Sequence, residues 1–289
     1  MRLNGRRESS NVDDRRRMGT TGKAGLGIGG ILLVAAITYF TTGDLGKALS
    51  TGFQAATTQT STGGGSNYTP TAEEEELASF TKKILAGTED VWTSEFKKMN
   101  RTYHAPKLVM FHGAVNSGCG SATSSTGPFY CSADQTVYID LEFFTTMKKQ
   151  FGASGDFAYA YVIAHEVGHH VQNELGILSQ AHQQMNRLSE REANQISVRI
   201  ELQADFFAGV WAYQDNKMFN SLEDGDIEEG LNIASKIGDD YLQKQAQGYA
   251  VPESFNHGTS EQRARWLKKG ATRGDINEGD TFSPAYNSL

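Results

Sequence analysis

The spacing of apolar residues changes several times along the chain, and each change marks an element. Residues 24–42 carry no charge and are dominated by Leu, Ile, Val, Ala and Gly. As a helix rising about 1.5 Å per residue, this stretch just spans the ~30 Å of bilayer hydrocarbon. Residues 43–70 lose periodicity and fill with Gly, Thr and Ser, a composition that cannot bury a core and predicts a flexible linker. From Thr71 the pattern turns helical: Thr71-Ala-Glu-Glu74 fits a capping box, and Leu77, Phe80, Ile84, Val91, Phe96 and Met99 follow. Lys107–His112 and Thr136–Asp140 predict short β segments. Two strongly apolar helices are predicted around residues 156–174 and 198–211, and Thr259-Ser-Glu-Gln262 caps a last helix ending at Lys268-Lys269-Gly270. The fold class is therefore α+β: a mostly α-helical domain (71–289) with a small β-sheet, preceded by one N-terminal transmembrane helix (24–42) and a basic arm (1–23).

Charge sharpens this division. The arm holds seven basic residues against three acids, a net of +4, whereas the rest has 20 basic and 31 acidic residues, a net of −11. An acidic body excludes nucleic acid as the main partner. The arginines ahead of the apolar run predict a single pass with the arm in the cytoplasm and everything beyond residue 42 outside, with Tyr39 and Phe40 at the far interface. The competing readings are a cleaved secretory signal, for which Val34-Ala35-Ala36 is a passable site, and a buried soluble helix. The apolar run continues past that site, and its many glycines disfavour a helix in water, so an uncleaved anchor is the expectation. The four glycines between positions 25 and 30 would also permit helix pairing in a bilayer.

The candidate chemistry lies in His165-Glu-Val-Gly-His169. Two histidines four apart on a helix sit about 40° apart around its axis, so both imidazoles can reach one Zn²⁺. Glu166 lies beside the metal, where it can deprotonate the attacking water. No other charge occurs between Asp156 and Glu174, and an acid in such an apolar helix calls for a specific role. His170 is about 100° further round than His169 and reads as a packed or surface histidine.

A hydrolytic zinc site takes three protein ligands and leaves a fourth position open. A third histidine in H-E-x-x-H-x-x-G-x-x-H is excluded, because Gln172 and Leu175 occupy the matching positions. His182 lies in a polar stretch that reads as a loop or an exposed helix start. The better candidate is Glu201, in an apolar helix that also carries Asp205 at i+4. That spacing suits one carboxylate on the metal and a second on the far nitrogen of a ligand histidine. The alternative is a surface ion pair of Glu201 with Arg199 or Arg191.

These motifs resemble the glutamate-zincin pattern, and the chain as a whole resembles the YpfJ-like neutral zinc metallopeptidase family of bacteria. The resemblance rests on the Arg-rich start with its apolar segment, Cys119 and Cys131 ahead of Val137-Tyr-Ile-Asp140, the zinc helix, Glu201-Leu-Gln-Ala-Asp205, and His257-Gly-Thr-Ser-Glu-Gln-Arg263. It implies a zincin-like fold, one Zn²⁺ per chain held by His165, His169 and Glu201, and Glu166 as general base. It also implies that His257 stabilises the oxyanion formed when water attacks a carbonyl; its competing role is to anchor the last helix, with Arg263 structural. A strand ahead of the zinc helix matters in such enzymes because its free edge pairs with an extended substrate, and Gly127 to Ile139 is the candidate segment. If the domain lies outside the membrane, Cys119 and Cys131 are expected to form a disulfide. The resulting expectation is a membrane-anchored zinc endopeptidase of the bacterial inner membrane, acting on extracytoplasmic polypeptides. The rivals are a catalytically silent zinc-binding interaction module and a zinc hydrolase of a non-protein amide such as cell-wall peptide.

Overall fold

The computed structural model describes residues 1–17, 68–153 and 155–289. The apolar run 24–42 and the linker 43–70 up to residue 67 lie outside the described residues. Among the described residues no helix is long and apolar enough to cross a membrane. The chain divides into two units, one built on Val12–Ala78 and Lys107–Thr146, the other on Met1–Asn11, Ser79–Pro106 and Met147–Leu289.

In the first unit, strands β1 (Val12–Asp14), β2 (Lys107–Phe111), β5 (Phe129–Cys131) and β6 (Thr136–Asp140) form a four-stranded sheet in the order β1-β2-β6-β5. β1, β2 and β6 are parallel and β5 runs antiparallel to β6. The inner strands read as near-continuous apolar runs because both their faces are covered, as parallel pairing requires. Leu108 through Phe111 and all of β6 are buried. β3 (Ala114–Ser117) and β4 (Gly120–Thr123) form a separate hairpin. Val109, Phe111, Val115, Ala122, Cys131 and Tyr138 make one core, with Phe129 stacked on Tyr138 at 4.9 Å. Cys131 is joined to Cys119 by a disulfide. The segment 127–139 is only partly an edge: β6 has β2 on one side and β5 on the other, so it cannot take a substrate strand, and the outer edge belongs to β5.

Helix α1 (Ala72–Lys98) opens as its capping box dictates, with the Glu74 N–H donating to Thr71 Oγ1 (3.2 Å) and the Thr71 N–H donating to Glu74 Oε2 (2.7 Å). After α2 (Glu142–Phe151), the second unit is helical: α3 (Asp156–Glu174), α4 (Ile177–Met185), α5 (Glu190–Phe219), α6 (Asp226–Lys236), α7 (Asp239–Gln247) and α8 (Ser260–Arg273). α5 is its axis and packs against α3, α4 and α8. Phe157, Tyr161, Phe206, Phe207 and Trp211 are fully buried there. The polar stretch around His182 is an exposed part of α4.

The arm packs within these units, whereas the sequence reading set it apart from a domain starting at Thr71. In the helical unit, the Arg2 N–H donates to Ser221 O (2.7 Å) and Arg6 makes a two-pronged bond to Asp215 (2.8 and 3.2 Å). Arg7 pairs with Asp90 (2.6 Å) and Glu89 (2.8 Å). In the sheet unit, β1 forms the edge strand beside β2, and Arg16 is buried between Asp14 and Glu75. The physical reason is charge complementarity: the basic arm and the acidic body meet as partners.

The disulfide closes a short loop in the sheet unit, so Cys131→Ser should cost about 2–3 kcal/mol. A lower melting temperature, reproduced by adding reductant to the wild type, is the expected result.

Candidate metal centre

α3 is apolar around most of its circumference, and its histidines are held inside the helical unit rather than at its surface. His165 and Glu166 are buried and His169 is nearly so. Gly168, between the two histidines, lets α5 approach. A Cβ at this position would lie 2.9 Å from the Ala204 carbonyl oxygen and 3.1 Å from its Cα. Glu201 and Asp205, which flank Ala204 on α5, are thereby carried up to the histidines.

Glu201 Oε2 lies 3.2 Å from His165 Nε2, and Oε1 lies 3.4 Å from His169 Nε2. Two ligand atoms about 2.1 Å from a tetrahedral zinc stand about 3.4 Å apart. The three side chains therefore fit the ion in spacing as well as in donor type, and they group as one candidate cation site. Arg199, the alternative partner of Glu201, instead donates to the carbonyls of Phe282 (3.2 Å) and Pro284 (3.0 Å).

The far ring nitrogens of both histidines are also held. His165 Nδ1 lies 2.8 Å from Asp205 Oδ1. Asp205 is fully buried and accepts from Arg263 Nε (2.9 Å), Arg263 Nη2 (3.0 Å) and Tyr161 OH (2.5 Å). His169 Nδ1 lies 2.9 Å from Gln172 Oε1, while Gln172 Nε2 donates to the Ile200 carbonyl (2.7 Å) and to Gln203 Oε1 (3.1 Å). With the amide fixed this way, His169 carries its proton on Nδ1 and presents Nε2 to the metal position. Gln172 and Tyr161 escape sequence reasoning as supporting groups, and Arg263, read there only as structural, donates to Asp205. For Gln172 the available signal was an amide at i+3 from His169 inside an apolar helix.

His257 precedes α8 and pairs with Asp239, its Nδ1 3.1 Å from Oδ1. Asp239 Oδ2 also accepts the N–H groups of Asn256, His257 and Gly258 at 2.7–3.0 Å, so one carboxylate fixes both the turn and the ring. His170 lies buried against Tyr103 with Nε2 2.6 Å from the His104 carbonyl, away from the ligand group, and His182 is outside that group as well. In the sheet unit His112, Asp140 and Glu142 also come close together. There Asp140 accepts the Gly113 and Glu142 N–H groups and the Ser124 hydroxyl, a structural anchor for the strand end.

The electrostatics follow from burying these charges together. Burial alone would lower the His165 imidazolium, but Asp205 and Glu201 outweigh it and push His165 up to about 10. Burial would raise the Glu201 carboxyl, yet the His169 and His165 rings hold it well below its ordinary value. Glu166 shifts upward because burial outweighs the attraction of the two histidines. His257 also shifts upward, since Asp239 and Glu201 overcome its burial.

Two outcomes follow. In chain stripped of metal, charged His165 contributes stability that is complete below its ordinary 6.5 and is lost as pH rises through about 10. Melting temperatures measured in chelator should therefore fall between pH 7 and 10, while those of zinc-loaded chain fall on the acid side, where protons compete for the ligands. Gln172→Leu should weaken zinc binding by about 10–100-fold, read by competition with a chromogenic chelator.

The family described as "Putative neutral zinc metallopeptidase" matches residues 1–282. The chain is 50% identical to the uncharacterized protein YpfJ of Escherichia coli K12 over 98% of its length and 99% of the relative's. It is 45% identical to the uncharacterized protein Rv2575 of Mycobacterium tuberculosis H37Rv over 63% of this chain and 64% of that protein. No solved structure matches. The family's match runs from residue 1 to 282 and takes in all three candidate ligands, and the chain belongs to the neutral zinc metallopeptidase family.

Proposed function

We propose that the chain is a zinc-dependent endopeptidase that cleaves polypeptides through a glutamate general base. The observation that carries this reading is the convergence of His165 Nε2, His169 Nε2 and two Glu201 oxygens at 3.2 and 3.4 Å beside buried Glu166. Zn²⁺ held by these three residues would polarise the scissile carbonyl and stabilise the charge developing on it.

The remaining work falls to the chain. Glu166 takes the proton of the attacking water and delivers it to the leaving amine, and its upward shift through burial suits a group that must hold that proton between the two steps. Asp205 and Gln172 keep the histidines in the ligating orientation. His257, fixed by Asp239, donates to the oxyanion. An interaction module would have no use for a buried carboxylate beside three ligands, and a purely structural zinc site closes its fourth position.

The finer part of the reading places the substrates outside the cytoplasmic membrane, with residues 24–42 keeping the enzyme at its surface. The Cys119–Cys131 disulfide supports an oxidising compartment.

Full-length chain and its Glu166→Gln variant should each hold one zinc. Only the wild type should cleave an unfolded protein such as casein, with the variant slower by about 10²–10⁴-fold. One zinc with no cleavage in either protein, or cleavage of cell-wall peptide alone, would contradict the proposal. His257→Gln should retain zinc and lose about 10²–10³-fold in kcat, a loss characteristic of removing one oxyanion donor.

A further inference from the structure

The N-terminal arm has a role that the peptidase chemistry does not absorb. Three features make residues 1–17 an integral part of the fold. First, they supply both partners' compensation in buried ion pairs: Asp215 is 1% exposed and meets Arg6, while Arg16 is 2% exposed and meets Asp14 and Glu75. A buried carboxylate or guanidinium deprived of its partner is strongly destabilising. Second, the α1 backbone is shaped to seat one of these pairs. A Cβ on Gly87 would lie 2.8 Å from Asp215 Oδ1 and 2.9 Å from Arg6 Nη2, so only glycine leaves room for the pair. Third, β1 covers the outer edge of β2 in parallel register, Val12 opposite Leu108 through Asp14 opposite Met110, and the Arg15 N–H extends the pairing to the Met110 carbonyl. Without β1, an apolar inner strand would present an open edge.

Arginines that fix membrane orientation work as hydrated charges beside lipid. Here Arg2, Arg6, Arg7, Arg15, Arg16 and Arg17 all lie against carboxylates of the chain itself. A single membrane crossing between residues 17 and 68 would put Arg2, Arg6, Arg7, Arg16 and Arg17 on the opposite side from Glu223, Asp215, Glu89, Asp90 and Glu75 and forbid each of those pairs.

We propose that residues 1–17 and the metallopeptidase domain lie on the same side of the membrane, so that residues 24–42 do not act as a single-pass anchor in the folded protein. The basic arm then serves as an intramolecular clasp for the acidic body rather than as a retained cytoplasmic signal. This holds whichever compartment the domain occupies and does not depend on the peptidase activity.

The test uses full-length chain in spheroplasts with one exposed reporter on each part, Ser10→Cys or Ser179→Cys. The native cysteines are silent to maleimide because they are joined. A membrane-impermeant maleimide should label both reporters in intact spheroplasts, or both only after permeabilisation. Either pattern supports the proposal, and the second would separately overturn the extracytoplasmic part of the functional reading. Labelling of one reporter before permeabilisation and the other only after it would overturn the proposal. An independent readout is the melting temperature of purified full-length Arg6→Ala. A drop of several degrees is the expected result, and an unchanged melting temperature would show that the arm does not clasp the domain.

Discussion

The close approach of α3 and α5 at Gly168 and Ala204 is the constraint on which the site depends. Helical periodicity alone aligns His165 with His169, since residues four apart share a face. It cannot supply a third ligand at the right distance. That requires a second helix whose backbone comes near enough for a short carboxylate to reach both rings, and a side chain at position 168 would block it. Glu201 then lies 3.2 and 3.4 Å from the two ring nitrogens, close to the spacing that tetrahedral zinc imposes.

Once those groups are buried together, the surroundings must balance their charge. Asp205 does so for His165, and Arg263 and Tyr161 do so for Asp205. The result is one buried polar chain through α3, α5 and α8. Networks of this kind are costly if any member is missing and rigid when complete. That rigidity suits a metal site, because ligand orientation fixed by outer hydrogen bonds is what tunes affinity. Asp239 repeats the device at smaller scale, holding His257 and the turn before α8 with one carboxylate. The candidate metal centre is thus assembled from helix starts and helix crossings, while the sheet unit contributes its own disulfide-bonded core.

How much of this was legible in the sequence depends on distance along the chain. His165, Glu166 and His169 share one helix and announce themselves by spacing. Glu201 and Asp205 were legible as acids at i, i+4 in an apolar stretch, and the capping boxes at Thr71 and Thr259 set their helix starts locally. Partners far apart in sequence were not legible. Nothing near Arg6 points to Asp215, so the arm's charge looked like a membrane signal. Strand order was hidden for the same reason: β6 looks like a free edge until β2 and β5 are placed on either side. Arg263 and Tyr161 come from other helices and meet Asp205 only in the folded chain.

The most direct test of the central claim is X-ray absorption at the zinc edge on full-length chain loaded with one equivalent of Zn²⁺. Two imidazoles and light oxygen ligands at about 2.0–2.2 Å in a four-coordinate shell, with one oxygen contribution changed in Glu201→Gln, would match the site described. A shell containing sulfur, only one imidazole, or no response to Glu201→Gln would contradict it.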